Sequence, residues 1–324
     1  MFWLLLACTD TQKKNTEQWD YDPEFYIDLR KDVPEPPENG LTIASPIFEI
    51  PPYTEIIYCY FDSYKGETTG VNFMQVFEAD NYAHHNQLKI ATTNIEDGTL
   101  LDCNYLDNGT SMSDFVPLFE AVGVDASVDA QGNWLQFPEG IATRLNAGQK
   151  WVLEMHYLNT SDKIAVVNSA VNLGFLPAED VVSWAGSAQF DSGPPQVHPG
   201  IDTDTFDCEW PEPVTVLSLS GHMHSTGTKF SVEHIKTDGS SKEIYAVNEW
   251  DGGYHPYFPV ILNFHPGELE VEPGDIFRTH CEWNNPTDQI LTFPAETCTT
   301  AVVAYPLNNP ISCIDGVYSP DSWQ

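Results

Sequence analysis

Basic residues are scarce in this chain: 13 Lys and Arg stand against 48 Asp and Glu, a formal charge of −35 over 324 residues. So acidic a surface repels phosphate-rich polymers, which argues against a nucleic-acid role and suits a strongly hydrated exterior outside the cytoplasm. Beyond the first eight residues no apolar run approaches the length of a membrane-spanning helix. Stretches with helical periodicity are few, and the one modest candidate covers residues 113–122. No Cys-x-x-Cys pair occurs, which removes the usual spacing of a structural zinc site.

What is present reads as β structure. Aromatics make up 12% of the chain, with 24 Pro and 21 Gly, and short apolar runs alternate with turn-rich segments. Strands are expected at 56–61, 71–77, 151–157, 214–219, 229–235, 276–283 and 300–305, with Pro273-Gly274-Asp275 as a turn. This is the texture of an all-β protein built of antiparallel β-sandwich domains. The length allows two domains. Strand pattern lapses near Leu176-Pro177 and again at Gly193-Pro194-Pro195, so domains are expected over 37–180 and 181–324, preceded by a leader and polar tether over 1–36.

The leader, Met1-Phe2-Trp3-Leu4-Leu5-Leu6-Ala7-Cys8, ends in a tetrad that resembles a bacterial lipobox. Cys8 is therefore expected to be lipidated, tethering an exported protein to the cell envelope. The apolar stretch is short and has no basic residues ahead of it, so a longer leader is expected upstream. Setting Cys8 aside leaves Cys59, Cys103, Cys208, Cys281, Cys298 and Cys313, for which three disulfides are the expectation in an oxidising compartment.

Histidine occurs ten times but gathers at three places: His84-His85, His156, and His222 with His224. In Val214-Thr215-Val216-Leu217-Ser218-Leu219-Ser220-Gly221-His222-Met223-His224 the two histidines sit two apart after a buried strand, so both imidazoles should face one side. His156 shares a face with Val152 and Glu154. Adjacent His84 and His85 oppose each other in a regular strand, so they can share a ligand only where the backbone turns or bulges. His198, His255 and His265, each beside Pro or in a glycine-rich loop, read as structural or loop residues.

Taken together, Ala83-His84-His85-Asn86-Gln87-Leu88, Phe137-Pro138-Glu139-Gly140, Leu153-Glu154-Met155-His156-Tyr157, Gly221-His222-Met223-His224 and Pro273-Gly274-Asp275 with Cys281 resemble the copper type II, ascorbate-dependent monooxygenases, the family of dopamine β-hydroxylase and peptidylglycine α-hydroxylating monooxygenase. The likeness spans roughly residues 40–315. It implies two successive jelly-roll-like sandwiches with one copper in each, and a small-molecule substrate hydroxylated at a C–H bond with dioxygen and an external reductant such as ascorbate. An electron-transfer copper would be held by His84, His85 and His156. The oxygen-activating, catalytic copper would be held by His222 and His224. The resemblance further implies the pairs Cys59–Cys103, Cys208–Cys313 and Cys281–Cys298.

Two departures stand out. The family's methionine ligand corresponds to Thr297, a poor donor to reduced copper. The second site is then completed by water, completed by another residue, or inactive, in which case the chain is a copper-binding envelope protein. His280 is one candidate replacement: if Cys281 and Cys298 join neighbouring antiparallel strands, His280 shares a face with Thr297 and Thr299. The plainer alternative is an ordinary residue at a strand end. Secondly, Ser220 and Ala301 stand where the peptide-hydroxylating branch has an arginine and a tyrosine for a carboxylate. A neutral or cationic substrate is therefore expected.

Overall fold

A computed structural model describes residues 21–78, 82–106, 115–122, 133–250, 261–293 and 295–318. The principal strands are β1 (Thr54–Ser63), β2 (Thr69–Phe77), β3 (Ala83–Ala91), β4 (Phe115–Val122), β5 (Ile141–Leu145), β6 (Lys150–Asn159), β7 (Ala170–Pro177), β8 (Ser183–Asp191), β9 (Gly200–Glu209), β10 (Val214–His222), β11 (Gly227–Ile235), β12 (Ser241–Val247), β13 (Ile276–Asn285) and β14 (Thr299–Tyr305). The described chain is all-β, and its helical pieces are short 3-10 turns such as Ala178–Asp180.

In the first half, a five-stranded sheet runs in the order Thr99–Asp102, β1, β6, β3, β4. Its central strand, β6, is buried on both faces. Leu153, Met155 and Tyr157 enter a core shared with Met74, Val171 and Leu173 of β2 and β7, while Val152 joins Cys59, Phe61, Cys103 and Phe115 on the opposite face. Each fully buried large apolar side chain contributes about 1.5–3 kcal/mol relative to exposure. Glu154 lies on that opposite face and is almost wholly buried. A charge there needs a partner, and Lys89 supplies it at 2.8 Å.

The halves are joined by one continuous sheet. β5 pairs in parallel with the first residues of β8, Ile141 with Ser183 through Thr143 with Ala185. The rest of β8 then pairs antiparallel with β14, Gly186 with Ala304 through Asp191 with Thr299. The resulting path runs from Leu262–Asn263 through β10, β14, β8, β5, β2 and β7 to Gly40–Ala44. Ala185 and Leu217 belong to the first half's core, with Val303 and Tyr305 packed against it. Arg144 lies 4.2 Å over the Trp184 ring at the same seam. One face of the β10–β14–β8 sheet is thereby turned toward the first half.

The other face of that sheet covers a four-stranded sheet of order β9, β13, β11, β12. Alternation in β13 is clear: Phe277, Thr279, Cys281, Trp283 and Asn285 are buried while Arg278 and Asn284 are exposed. Phe190, Trp210 and Phe277 meet edge to face at 5.1–6.0 Å. The bridges are Cys59–Cys103, Cys208–Cys313 and Cys281–Cys298, the pairs implied by the resemblance. Such bridges are compatible with an oxidising, extracytoplasmic location.

Two expectations are corrected. The lead-in through residue 36 is not all tether, because Tyr26–Asp28 pairs in parallel with Ile164–Val166 and Leu29 packs on the core. Residues 115–122 form strand β4 rather than a helix, laid antiparallel on β3. Pro117, with no N–H to donate, sits opposite Lys89 at a register shift on this edge strand, where proline is tolerated; residues 113 and 114 lie outside the described residues. Cys8 and His255 do too.

Candidate metal centre

The first histidine station is built by β3 on β6. Glu154 lies opposite Gln87 and His156 opposite His85, but the next residue, Tyr157, lies opposite Ala83. His84 is thus the extra residue of a β-bulge. A bulge is the distortion that sharing by His84 and His85 requires. The side chains of these two lie outside the described residues. The His156 ring is largely buried, and its Nε2 is hydrogen-bonded to Glu55 Oε1 at 2.7 Å. Glu55 lies near the start of β1, diagonal to His156, and its side chain is 63% exposed. Its carboxyl is held below the usual carboxylate range, chiefly by that hydrogen bond and then by the fields of His156 and His224.

The second station follows β10. His222 closes the strand, and the rings of His222 and His224 lie 5.1 Å apart at 80°. Met223 between them is buried in the second half's core, so it faces away from both. At Gly221 a side chain would meet the Phe230 ring at 2.3 Å, so glycine is needed for the approach of β10 to β11. The segment carrying His224 is fixed by a residue the sequence did not single out. Glu296, fully buried, accepts the backbone N–H of His224 at 3.0 Å, the N–H and hydroxyl of Thr226 at 2.6 and 2.7 Å, and the indole N–H of Trp283 at 3.1 Å.

His222, Thr299 and Asp191 form a row across β10, β14 and β8, and Ser220, Ala301 and Gln189 form the next. Alternation from Thr299 through Val303 and Tyr305 puts both rows on the face turned toward the first half. Thr299 donates to Asp191 Oδ2 at 2.6 Å, and the Thr297 hydroxyl lies 3.3 Å from that of Thr299. Burial pushes the Asp191 carboxyl up.

His280 is not brought to the second station. β13 pairs with β9 and β11, not with β14, and Cys281–Cys298 spans the sandwich between its two sheets. Cys281 and Thr279 therefore point inward, the latter to Thr300 at 2.7 Å. His280 points outward, level with Thr205 and Ser231, and its Nδ1 is 2.8 Å from Thr205 Oγ1. His198 and His265 lie in surface turns, bonded to Asp202 and Glu268. A buried pair that the sequence reading missed, His234 with Asp275 at 2.7 Å, ties the turn before β13 to β11. Donor atoms of Cys59, Cys103 and Glu154 cluster closely, but the two sulfurs are bonded to each other and offer no thiolate.

Imidazole suits copper in both oxidation states, and the described donors fit such an ion: His156, largely buried opposite His85, and the neighbouring rings of His222 and His224. No family model matches the chain, and no curated protein does. Among solved structures, the infectious bursal disease virus VP2 subviral particle is 10% identical, with 91% of this chain and 77% of that one covered at a TM-score of 0.23. The Gx strain of the same virus is 9% identical, with 88% and 75% covered at 0.20. Scores this low establish neither a shared fold nor a shared function.

Proposed function

We propose that this chain is an exported copper-dependent monooxygenase, similar to the ascorbate-dependent type II copper enzymes, tethered to the cell envelope through Cys8. The observation that supports this reading is the gathering of the histidines at two stations: the bulge at His84 with His85 opposite His156 in the first half, and the rings of His222 and His224 5.1 Å apart at the end of β10 in the second. Copper, when bound there, supplies one-electron chemistry with dioxygen and a reductant such as ascorbate. The protein's part is to hold and orient. Glu296 fixes the backbone under His224, and β10 aligns His222 toward the first half. Ser220 and Ala301, opposite each other beside His222, are small and offer no cation to a carboxylate. A small neutral or cationic molecule suits the site.

A second reading is a copper-binding envelope protein without oxygenation. Thr297 favours it, since a hydroxyl buried beside Thr299 is a weaker donor to reduced copper than a thioether. Oxygen uptake by the copper-loaded chain in ascorbate separates the two. Consumption that rises with a candidate substrate supports the enzyme. No substrate-dependent uptake with both stations loaded supports the binding protein.

A further inference from the structure

Glu55 is not among the donors that the resemblance implies, yet it makes the contact that governs how His156 can bind. An ionised carboxylate has only lone pairs to offer, so the proton in the 2.7 Å contact between Glu55 Oε1 and His156 Nε2 is carried by the imidazole. A neutral imidazole protonated at Nε2 keeps its lone pair at Nδ1. Histidines that hold metals very commonly donate their other ring N–H to a carboxylate, which sets the tautomer and raises the basicity of the ligating nitrogen. The placement is specific in two ways. β6 presents His156 directly opposite His85, beside the extra residue of the bulge, and β1 brings Glu55 from the other flank of β6, on the side away from β3. The carboxylate and the strand that carries His84 and His85 thus flank β6 on opposite sides at His156.

We propose that Glu55 is the positioning residue of the first station, holding His156 as the Nε2–H tautomer so that Nδ1 is presented toward the 84–85 bulge. This rests on the copper reading above. It adds a residue whose removal should weaken the station while leaving every histidine in place.

The test uses the full chain carrying His222→Ala and His224→Ala, so that only the first station can load. In the metal-free, 15N-labelled protein, two-bond nitrogen–proton correlations should show His156 protonated at Nε2. Copper affinity by competition titration should fall about 10- to 100-fold in Glu55→Ala. Glu55→Gln, which keeps an acceptor oxygen and the fold but loses the charge, should lose less, and both should alter the nitrogen couplings in the Cu(II) EPR spectrum. An Nδ1–H tautomer overturns the proposal, as does a copper affinity and EPR spectrum unchanged in Glu55→Ala. If the background protein binds no copper while His156 is the Nε2–H tautomer, the copper reading has failed, and the metal-positioning role falls with it.

Discussion

The carboxylate of Glu296 accepts the backbone N–H of His224 at 3.0 Å, so a buried acid that is itself no ligand sets where the second imidazole of the second station sits. The same side chain holds Thr226 and Trp283. Glu296→Ala would leave these donors unmatched at about 1–3 kcal/mol each. We expect a loss of several kcal/mol, read as a lower urea midpoint at unchanged slope. Glu296→Gln, which retains one oxygen, should lose less.

The Cys281–Cys298 bridge joins β13 to the segment that enters β14 in the facing sheet. Replacing both cysteines with alanine should cost about 2–5 kcal/mol, measured by urea denaturation. Mass mapping of the unreduced chain should return this pair with Cys59–Cys103 and Cys208–Cys313. A free thiol among the six would contradict the fold.

His280 faces outward and is bonded to Thr205. His280→Ala should therefore leave copper affinity at the second station within about twofold of wild type, because it removes no donor and leaves the inward face of β13 intact. His222→Ala and His224→Ala should each remove that copper. A comparable loss in His280→Ala would restore it as a ligand.

Burial raises the Asp191 carboxyl above its ordinary value. A group with its folded pKa above its unfolded one contributes stability that is fully present below the unfolded value and lost as pH rises through the folded value. Asp191→Asn avoids burying the charge, keeps one oxygen for the Gly193 N–H that Asp191 Oδ1 accepts at 2.6 Å, and turns an N–H donor toward the Thr299 hydroxyl oxygen. The metal-free variant should melt higher than wild type at neutral pH, the two converging toward pH about 4. A difference independent of pH would contradict this origin.

The strands were legible because alternation in segments such as 276–283 follows from burying one face. The need for a bulge at His84-His85 was legible too, since two adjacent imidazoles cannot share a side of a regular strand. Sheet membership was not. Whether β13 lies beside β14 or across the sandwich from it is decided by long-range packing, and that choice turned His280 outward. Glu55 and Glu296 were hidden among 48 acidic residues, because nothing local marks a carboxylate that will be aimed at a histidine from another strand. In β4, helical texture gave way to the exposed edge of β3, which needed a partner.

Copper counting tests the central claim most directly. The purified chain, loaded with copper and desalted, should hold two ions per molecule by elemental analysis. His84→Ala with His85→Ala should remove one and leave the other, and His222→Ala with His224→Ala should do the converse. A wild-type chain that retains no copper, or a double substitution that empties both stations or neither, would contradict the account.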